Sequence, residues 1–382
     1  MRSVVFVNHL PRGSASSYRQ EGFAKYLRRA GWATTLVCRG SAVADRGGDG
    51  AYTREVHWTE PFPLMLVQNA QLLVRAARGA DIVHVNRANP FTATVVSLAR
   101  GAIRGKLVVD MEDWDGYGGY STYIRSHGPR GWALTAYERA FPRSADEVVV
   151  VSRMLRDYMV GTGVPEERLT VIHNGFDEEV FDPGVPGGPA REEYGIGDNL
   201  VVMYSSTFWE FEKRQHELAF SALRQILAEV PEAKVVMTGR EDSSIAEALS
   251  RSGIAGRAVT PGFVPRGRLP WIMAAADVAV HVIGDDAFHR ASSPMIVPEY
   301  MAMGKPVVAP RVGELEVILG GGAGVLVDGS EPASIAGAAV RLLRDRGERE
   351  AVGGRARMKA VDEFSYRSET KELMRVYERA LE

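Results

Sequence analysis

Short, continuous apolar runs rich in valine and isoleucine recur along this chain, and amphipathic stretches of helical period lie between them. In the first half the runs are SVVFVN, TTLVC, DIVHVN, KLVVDM, DEVVVVS and LTVIHNG. In the second half they are LVVMYSS, AKVVMTG, AVTPGF, DVAVHVIG, KPVVAP and AGVLVDG. Runs that do not alternate with polar residues suit strands buried on both faces of a parallel sheet. The intervening helices show one apolar face. SYRQEGFAKYLRRAG places Phe23, Leu27 and Ala30 together and closes at Gly31, and QHELAFSALRQILAEVP aligns Leu218, Ala222, Ile226 and Val230. The pattern is βαβα twice over, which predicts an α/β protein of two doubly wound, Rossmann-like domains.

The stretch FDPGVPGGPAREEYGIGDN, residues 181–199, is rich in proline and glycine and has no apolar period. It predicts a linker near 183–198, dividing a domain of residues 1–185 from one of 186–365. Residues 366–382 form a last helix expected to pack back on the first domain. Two such domains facing each other form a cleft, and ligands of open α/β sheets bind beyond the carboxyl ends of the strands. That arrangement suits a bipartite ligand, with a donor on one side and an acceptor on the other. The 382 residues suffice for two cores. A net charge of -2 supplies no bulk field for nucleic acid. Cys38 is the single cysteine, which excludes an intrachain disulfide or cysteine zinc site and fits a cytoplasmic location. The apolar part of MRSVVFVNHLPRG is too short for a secretory core and reads as a first strand.

Glu299 is the one carboxylate in SSPMIVPEYMAMGKPVVAP, residues 292–310. Ser292 or Ser293 is placed to cap a helix with Pro294 at its first position, where a missing N–H costs nothing. The N–H groups of Met295 and Ile296 then form a ready anion site. Pro298 offers a later start, with Glu299 in the first turn. Under either start Glu299 stands near a helix N-terminus beside a strand's carboxyl end. There a carboxylate complements the helix dipole, or accepts hydrogen bonds from sugar hydroxyls.

This segment resembles the donor-site segment of the GT-B fold retaining glycosyltransferases of family 4 (group 1), in the branch that reads Ser-Pro, three or four residues, then Glu-Tyr-Met-Ala-x-Gly-Lys-Pro-Val. The resemblance extends in order through most of the chain. VIHNGFDEEVF at 171–181 is similar to the family's Asn-Gly-x-Asp turn, DEVVVVSRMLRDYM to its strand ending in serine, and AGVLVDGSEPASIAGAAVRLLRD through LMRVYERAL to its C-terminal half. It implies that Glu299 binds the nucleotide ribose, with Ser293, Met295, Ile296 and Val297 around it. Ser206 and Thr207 match the small-residue turn after the second domain's first strand. Lys213 or Arg214 matches the basic position that neutralises the departing diphosphate, and Lys213 is assigned a catalytic part. Phe263 and Val264 in PGFVPRGRLP are base-contact candidates. Two positions depart from the family: Ala291 replaces a glutamate that binds the donor sugar, with Asp285 and Asp286 as nearby acids, and Ile296 replaces a lysine.

On the acceptor side the resemblance points to Arg12, Gly13 and Ser14, where small residues let a ligand approach the backbone. DIVHVNRANP places His84, Asn86 and Arg87 at another strand end. In VVDMEDWDGYGGYSTY, Glu112 and Asp113 stand where related enzymes carry a histidine near the reacting centre, and Trp114 and Tyr117 form part of an aromatic wall suited to a sugar ring. Each of these positions also fits plain packing. Asp113-Trp114-Asp115 spells Asp-x-Asp, a metal motif of a different glycosyltransferase fold, and the chain pattern opposes that fold. No catalytic metal and no cofactor are expected. The expected activity is retaining, metal-independent transfer of a hexosyl group from a UDP- or GDP-sugar to a hydroxyl acceptor in a metabolite, glycolipid or polysaccharide. The alternatives are a UDP-sugar epimerase or glycosyl phosphorylase on the same fold, or a non-catalytic nucleotide-sugar-binding protein. A nicotinamide dehydrogenase is disfavoured because no Gly-x-Gly-x-x-Gly joins strand to helix. Arg125, Arg130, Arg139 and Arg143 around GWALTAYERAF offer peripheral membrane contact, with a solvated helix face preferred.

Overall fold

The computed structural model describes residues 1–40, 52–61, 64–125, 128–206, 213–239 and 249–382. These residues divide into two compact units. The first comprises Met1–Gly175, Ala291–Ser293 and Tyr366–Glu382, and the second Phe176–Arg290 and Pro294–Ser365.

The first unit is built on a seven-stranded sheet. Its strands are β1 (Ser3–Pro11), β2 (Ala33–Arg39), β3 (Arg54–His57), β4 (Ile82–Asn86), β5 (Lys106–Met111), β6 (Glu147–Val150) and β7 (Leu169–Val171). The order is β3-β2-β1-β4-β5-β6-β7 and all pairs are parallel. Successive side chains of a strand point to opposite faces. Val5 and Val7 therefore join one apolar cluster with Leu73 and Val96, while Val4 and Phe6 join another with Phe23, Leu27 and Tyr377. Both faces are covered, which is why the strands read as unbroken apolar runs. The helix Tyr366–Leu381 belongs to this unit and packs on the helix Ala15–Arg29.

The second unit carries six parallel strands: β8 (Val201–Ser205), β9 (Lys234–Thr238), β10 (Ala258–Gly262), β11 (Val278–Val280), β12 (Val307–Pro310) and β13 (Val325–Val327). Their order is β10-β9-β8-β11-β12-β13. Val201 and Met203 pack under Tyr300 and Met301, and Val202 and Tyr204 under the helices Lys213–Glu229 and Pro332–Arg344. In each sheet the order reverses at one point, β1/β4 in the first unit and β8/β11 in the second. Side chains beyond the carboxyl ends of the strands there are best placed to meet a ligand.

Two features differ from the sequence expectation. β3 has no apolar run because it is an edge strand with only Val56 half-buried. The passage between units falls at Gly175–Phe176, ahead of residue 185, because Phe176 and Phe181 are buried in the second core. The stretch 183–198 lies inside the second unit. It forms the helix Gly188–Glu193, and Ala190 and Ile196 join the core. Arg191 fastens it by donating to the carbonyls of Gly197, Asn199 and Ala275.

Candidate active site

In the second unit the segment after β11 returns toward the sheet as the helix Ile296–Ala302. Met295 is its N-cap, so it starts between the two starts expected from sequence. Pro298 falls among the first four residues, whose N–H groups have no partner within the helix, and is tolerated there. Glu299 lies in the first turn and is 2% exposed. Arg266, from the loop after β10, reaches it with Nη2 2.5 Å from Oε1. The guanidinium also lies over the Phe181 ring, 5.3 Å from its centroid. Burial pushes the Glu299 carboxyl up from its ordinary value, and Arg266 opposes that shift. Arg266 was not singled out in the sequence. It sits in a Pro-Arg-Gly-Arg turn without periodicity, and no sequence cue pairs it with a residue 33 positions on.

Hydroxyls line the ends of β8 and β9. Tyr300 donates to Ser205 Oγ at 2.7 Å, and Ser205 Oγ lies 2.6 Å from Thr238 Oγ1. Ser206 Oγ meets His216 Nε2 at 3.1 Å. Thr207 lies outside the described residues. Lys213 and Arg214 open the helix Lys213–Glu229 with exposed side chains. Gln215, next in the helix, contacts His289, whose Nδ1 is 2.6 Å from Asp286 Oδ2. Of the two acids near Ala291, Asp286 is thus tied to the helix that bears Lys213, while Asp285 pairs with Arg290. Ala291 is buried, and its carbonyl accepts from Ser152 Oγ at 2.6 Å. Ser293 is also buried and is engaged by Asn174 in the first unit, at 3.2 Å from the Asn174 N–H and 2.7 Å from its Nδ2. Val297 is buried in the core, and Met295 and Ile296 are half-buried at the helix start, with Met295 Sδ 3.6 Å from Arg266 Nη1. Phe263 is 73% exposed, and Val264 packs against the core.

In the first unit the ends of β1, β4 and β5 carry a dense set of charged groups. Arg19 is fully buried, donates to Asp110 at 2.9 Å and also reaches the carbonyls of Ile172 and His173. His84 lies within β4 at 0% exposure, with Nε2 3.3 Å from Asp110 and Nδ1 2.9 Å from the Tyr377 hydroxyl. It therefore presents no face to a ligand. Arg87 adopts a left-handed backbone, φ 58°, at the strand end. Its guanidinium contacts Asp113, lies 3.5 Å from Asp115 and 3.7 Å from Glu112. Glu112 also accepts from Asn86. Burial pushes Glu112 up to about 8, with Arg87 opposing. Trp114 stacks on Tyr158 at 4.3 Å. The Tyr117 N–H donates to Thr135 and its hydroxyl to the Gly128 carbonyl at 3.1 Å. Arg12 is held by Glu55 and by Glu21 at 3.6 Å, Gly13 makes the turn at φ 82°, and Ser14 caps the helix Ala15–Arg29 without a side-chain cap bond. Among the described residues no group of three or more His, Cys, Asp or Glu is placed to hold a metal ion, and no helix is long and apolar enough to cross a membrane.

Two doubly wound parallel sheets in one chain, each with polar groups at its reversal point, define the GT-B class of fold. The Anabaena protein Alr3699/HepE, solved in complex with UDP and glucose, matches over 98% of this chain and 99% of its own, with TM-score 0.77 and 20% identity. A glycosyltransferase from Rickettsia africae matches over 100% and 99%, with TM-score 0.78 and 17% identity. The family model for Glycosyltransferase Family 4 matches residues 21–180 and that for Glycosyl transferases group 1 matches residues 199–345; the chain belongs to this family. A GDP-mannose-dependent alpha-(1-6)-phosphatidylinositol monomannoside mannosyltransferase from Mycolicibacterium smegmatis is 29% identical over 64% of this chain and 66% of its own length. A D-inositol 3-phosphate glycosyltransferase from Xylanimonas cellulosilytica is 32% identical over 57% of this chain and 53% of its own. The match thus spans between about half and just under two thirds of these relatives.

Proposed function

We propose that this chain is a retaining, metal-independent glycosyltransferase that moves a hexosyl group from a UDP- or GDP-sugar to a hydroxyl acceptor. The observation that carries the reading is Glu299, a buried carboxylate at a helix start beyond the β11 end, whose one ion-pair partner among the described residues is Arg266. A carboxylate kept there needs ligand hydroxyls to complete its hydrogen bonds, and a ribose supplies two. A relative named for GDP-mannose and a structural neighbour bound to UDP support a nucleoside diphosphate as the carrier.

In this reading Glu299 accepts from the ribose, and Phe263 and Val264 meet the base. Ser205 and Ser206 line the approach of the sugar and phosphates. The acceptor hydroxyl oxygen bonds to the anomeric carbon on the face from which the diphosphate leaves. The anomeric C–O bond breaks with its electron pair going to the phosphate oxygen, which takes up the hydroxyl proton. Lys213 and Arg214 stabilise the charge that develops on the diphosphate, and the protein otherwise positions the two partners. Glu112 and Asp113 orient the acceptor.

The test is thermal unfolding of wild type and Glu299→Ala with UDP, GDP, ADP and dTDP. A ligand that binds only the folded state stabilises it by about 2.7 kcal/mol at a hundredfold excess over Kd. Stabilisation by UDP or GDP alone, absent in the variant, is expected. A variant that unfolds cooperatively and keeps the full shift refutes the role of Glu299.

A further inference from the structure

We propose that the acceptor edge of the first unit takes a polyhydroxylated ring bearing an ammonium group, and not a phosphorylated acceptor. This rests on the glycosyltransferase reading above and specifies its acceptor.

Arg19, Arg12 and Arg87 at this edge are already committed. Arg19 is enclosed with Asp110 and backbone carbonyls, and Arg12 with Glu21 and Glu55. Arg87 pairs with Asp113, Asp115 and Glu112, and Arg19, already on Asp110, lies 4.0 Å from Glu112. These two cations against the four carboxylates of Asp110, Glu112, Asp113 and Asp115 leave negative charge in excess, and a phosphate brought there adds more of the same sign. The carboxyls respond to that excess. Burial raises Asp115 to about 6 and Glu112 to about 8. Arg87 opposes both shifts and Arg19 also opposes that of Glu112, while Asp113 adds to both and Asp110 to that of Glu112. Of the neighbouring helix Pro129–Ala140, Arg130 also lowers Asp115, while Glu138 is itself raised to about 8 by burial and by Asp115. His9, from β1, is kept neutral by burial and Arg87.

A second observation points to a ligand that donates hydrogen bonds. Asn86 is 0% exposed and donates to Glu112, and its Oδ1 has no partner among the described residues. A buried acceptor left unmade is costly, and an ammonium or hydroxyl donor arriving beside Glu112 would complete it. Trp114 and Tyr117 stand on the same loop. The ammonium would also draw Glu112 and Asp115 back to their ionised forms, so binding releases protons.

The experiment compares matched acceptors with the donor whose nucleotide stabilises the protein: glucose, glucosamine and glucose 6-phosphate, and inositol, an aminated cyclitol and inositol phosphate. Nucleotide release is followed between pH 5.5 and 9. The amine is expected to exceed its hydroxyl counterpart in kcat/KM by about tenfold or more, the worth of one charge-assisted hydrogen bond, with the phosphate lowest. Asp113→Asn and Asp115→Asn should each erode that preference. Glu112→Gln should remove the rise in amine kcat/KM with pH that wild type shows up to about 8. Nucleotide stabilisation measured on each variant controls for folding. Preference for the neutral or phosphorylated acceptor, a preference unchanged in the variants, or release from the whole panel no faster than into water overturns the inference while the donor reading stands. Absence of any nucleotide stabilisation overturns the donor reading, and this inference with it.

Discussion

Replacing Arg266 by methionine tests how the donor-side carboxylate is held. The substitution keeps the apolar stem over Phe181 and removes the cation 2.5 Å from Glu299. Breaking a buried pair from one side ordinarily costs about 3–5 kcal/mol, because it strands the other charge. Glu299 is 2% exposed, so water cannot take the arginine's place. A carboxyl can escape by taking up a proton, and the cost is then capped at about 1.4 kcal/mol per pH unit above the unfolded value. The sign follows from linkage. The folded carboxyl is raised above its ordinary 4.5, so the folded state holds the extra proton and stability falls as pH rises. Removing Arg266 raises it further and steepens the fall. Arg266→Met should therefore unfold nearly as wild type at pH 5, where the cap is below about 1 kcal/mol, and lose about 3 kcal/mol at pH 8, the lower end of the one-sided cost. At about 2–4 °C per kcal/mol for a unit of this size, that is a fall in Tm of roughly 6–12 °C. The variant should also lose nucleotide stabilisation at pH 7, because a protonated Glu299 is a poorer acceptor for ribose hydroxyls. Calorimetry at pH 5, 6.5 and 8 reads both effects. The double variant Arg266→Met with Glu299→Gln should recover stability and lose the part of the pH slope that Arg266→Met adds. An equal loss at pH 5 and pH 8, or a slope in the double variant as steep as in Arg266→Met, would refute the reasoning.

Lys213→Ala combined with Arg214→Ala should lower kcat by about 10²–10³, the usual worth of a group that stabilises transition-state charge, and weaken nucleotide affinity no more than that. Steady-state turnover beside a nucleotide titration decides it, and unchanged kcat would place the diphosphate elsewhere. Burial favours a raised Asp110 carboxyl, but Arg19, with His84, holds it at about 2 against an ordinary 3.8. That depression stabilises the first unit by about 2 kcal/mol, fully present above pH 4 and lost as pH falls toward 2. Acid unfolding of Asp110→Asn should lack that loss, and an acid limb like that of wild type would show that other carboxyls set it.

The sequence exposes what is periodic and hides what is brought together by the fold. The strands were legible because covering both faces of a parallel sheet leaves unbroken apolar runs. β3 was not, because an edge strand needs no such run. Glu299 stood out as a lone acid in an apolar segment, but its partner Arg266 lies on another loop in a turn that many residue types could form. The start of the helix Ile296–Ala302 was misplaced because Ser293, a good cap by composition, is engaged by Asn174 instead. His84 looked like a strand-end ligand. One turn of sheet geometry puts its ring in the interior, between Asp110 and the Tyr377 hydroxyl contributed by a helix nearly 300 residues away. Gly22 gave no sign of its purpose either. A Cβ there would lie 2.2 Å from the Tyr366 ring, so the C-terminal helix selects glycine in the middle of another helix.

Buried charge by itself does not mark a site, and the two networks differ in how completely they are satisfied. An apolar pair of the same volume is often at least as stable as a buried ion pair, so each pair has to be explained by what else it does. Arg19 uses its fork within the protein, on both Asp110 oxygens, the carbonyls of Ile172 and His173, and Asn174 Oδ1. Nothing is left over for a ligand, and the network binds β5, β7 and the first helix into one framework. Among the described residues, Glu299 Oε1 meets Arg266 but completes no hydrogen bond, and Asn86 beside Glu112 retains an unused oxygen. Groups left short of partners in a folded chain cost stability, and that cost is offset only when a ligand arrives. The complete network therefore serves the framework. On the reading proposed above, the incomplete groups are the ones a ligand would complete, at the helix start beyond β11 and at the joint end of β4 and β5.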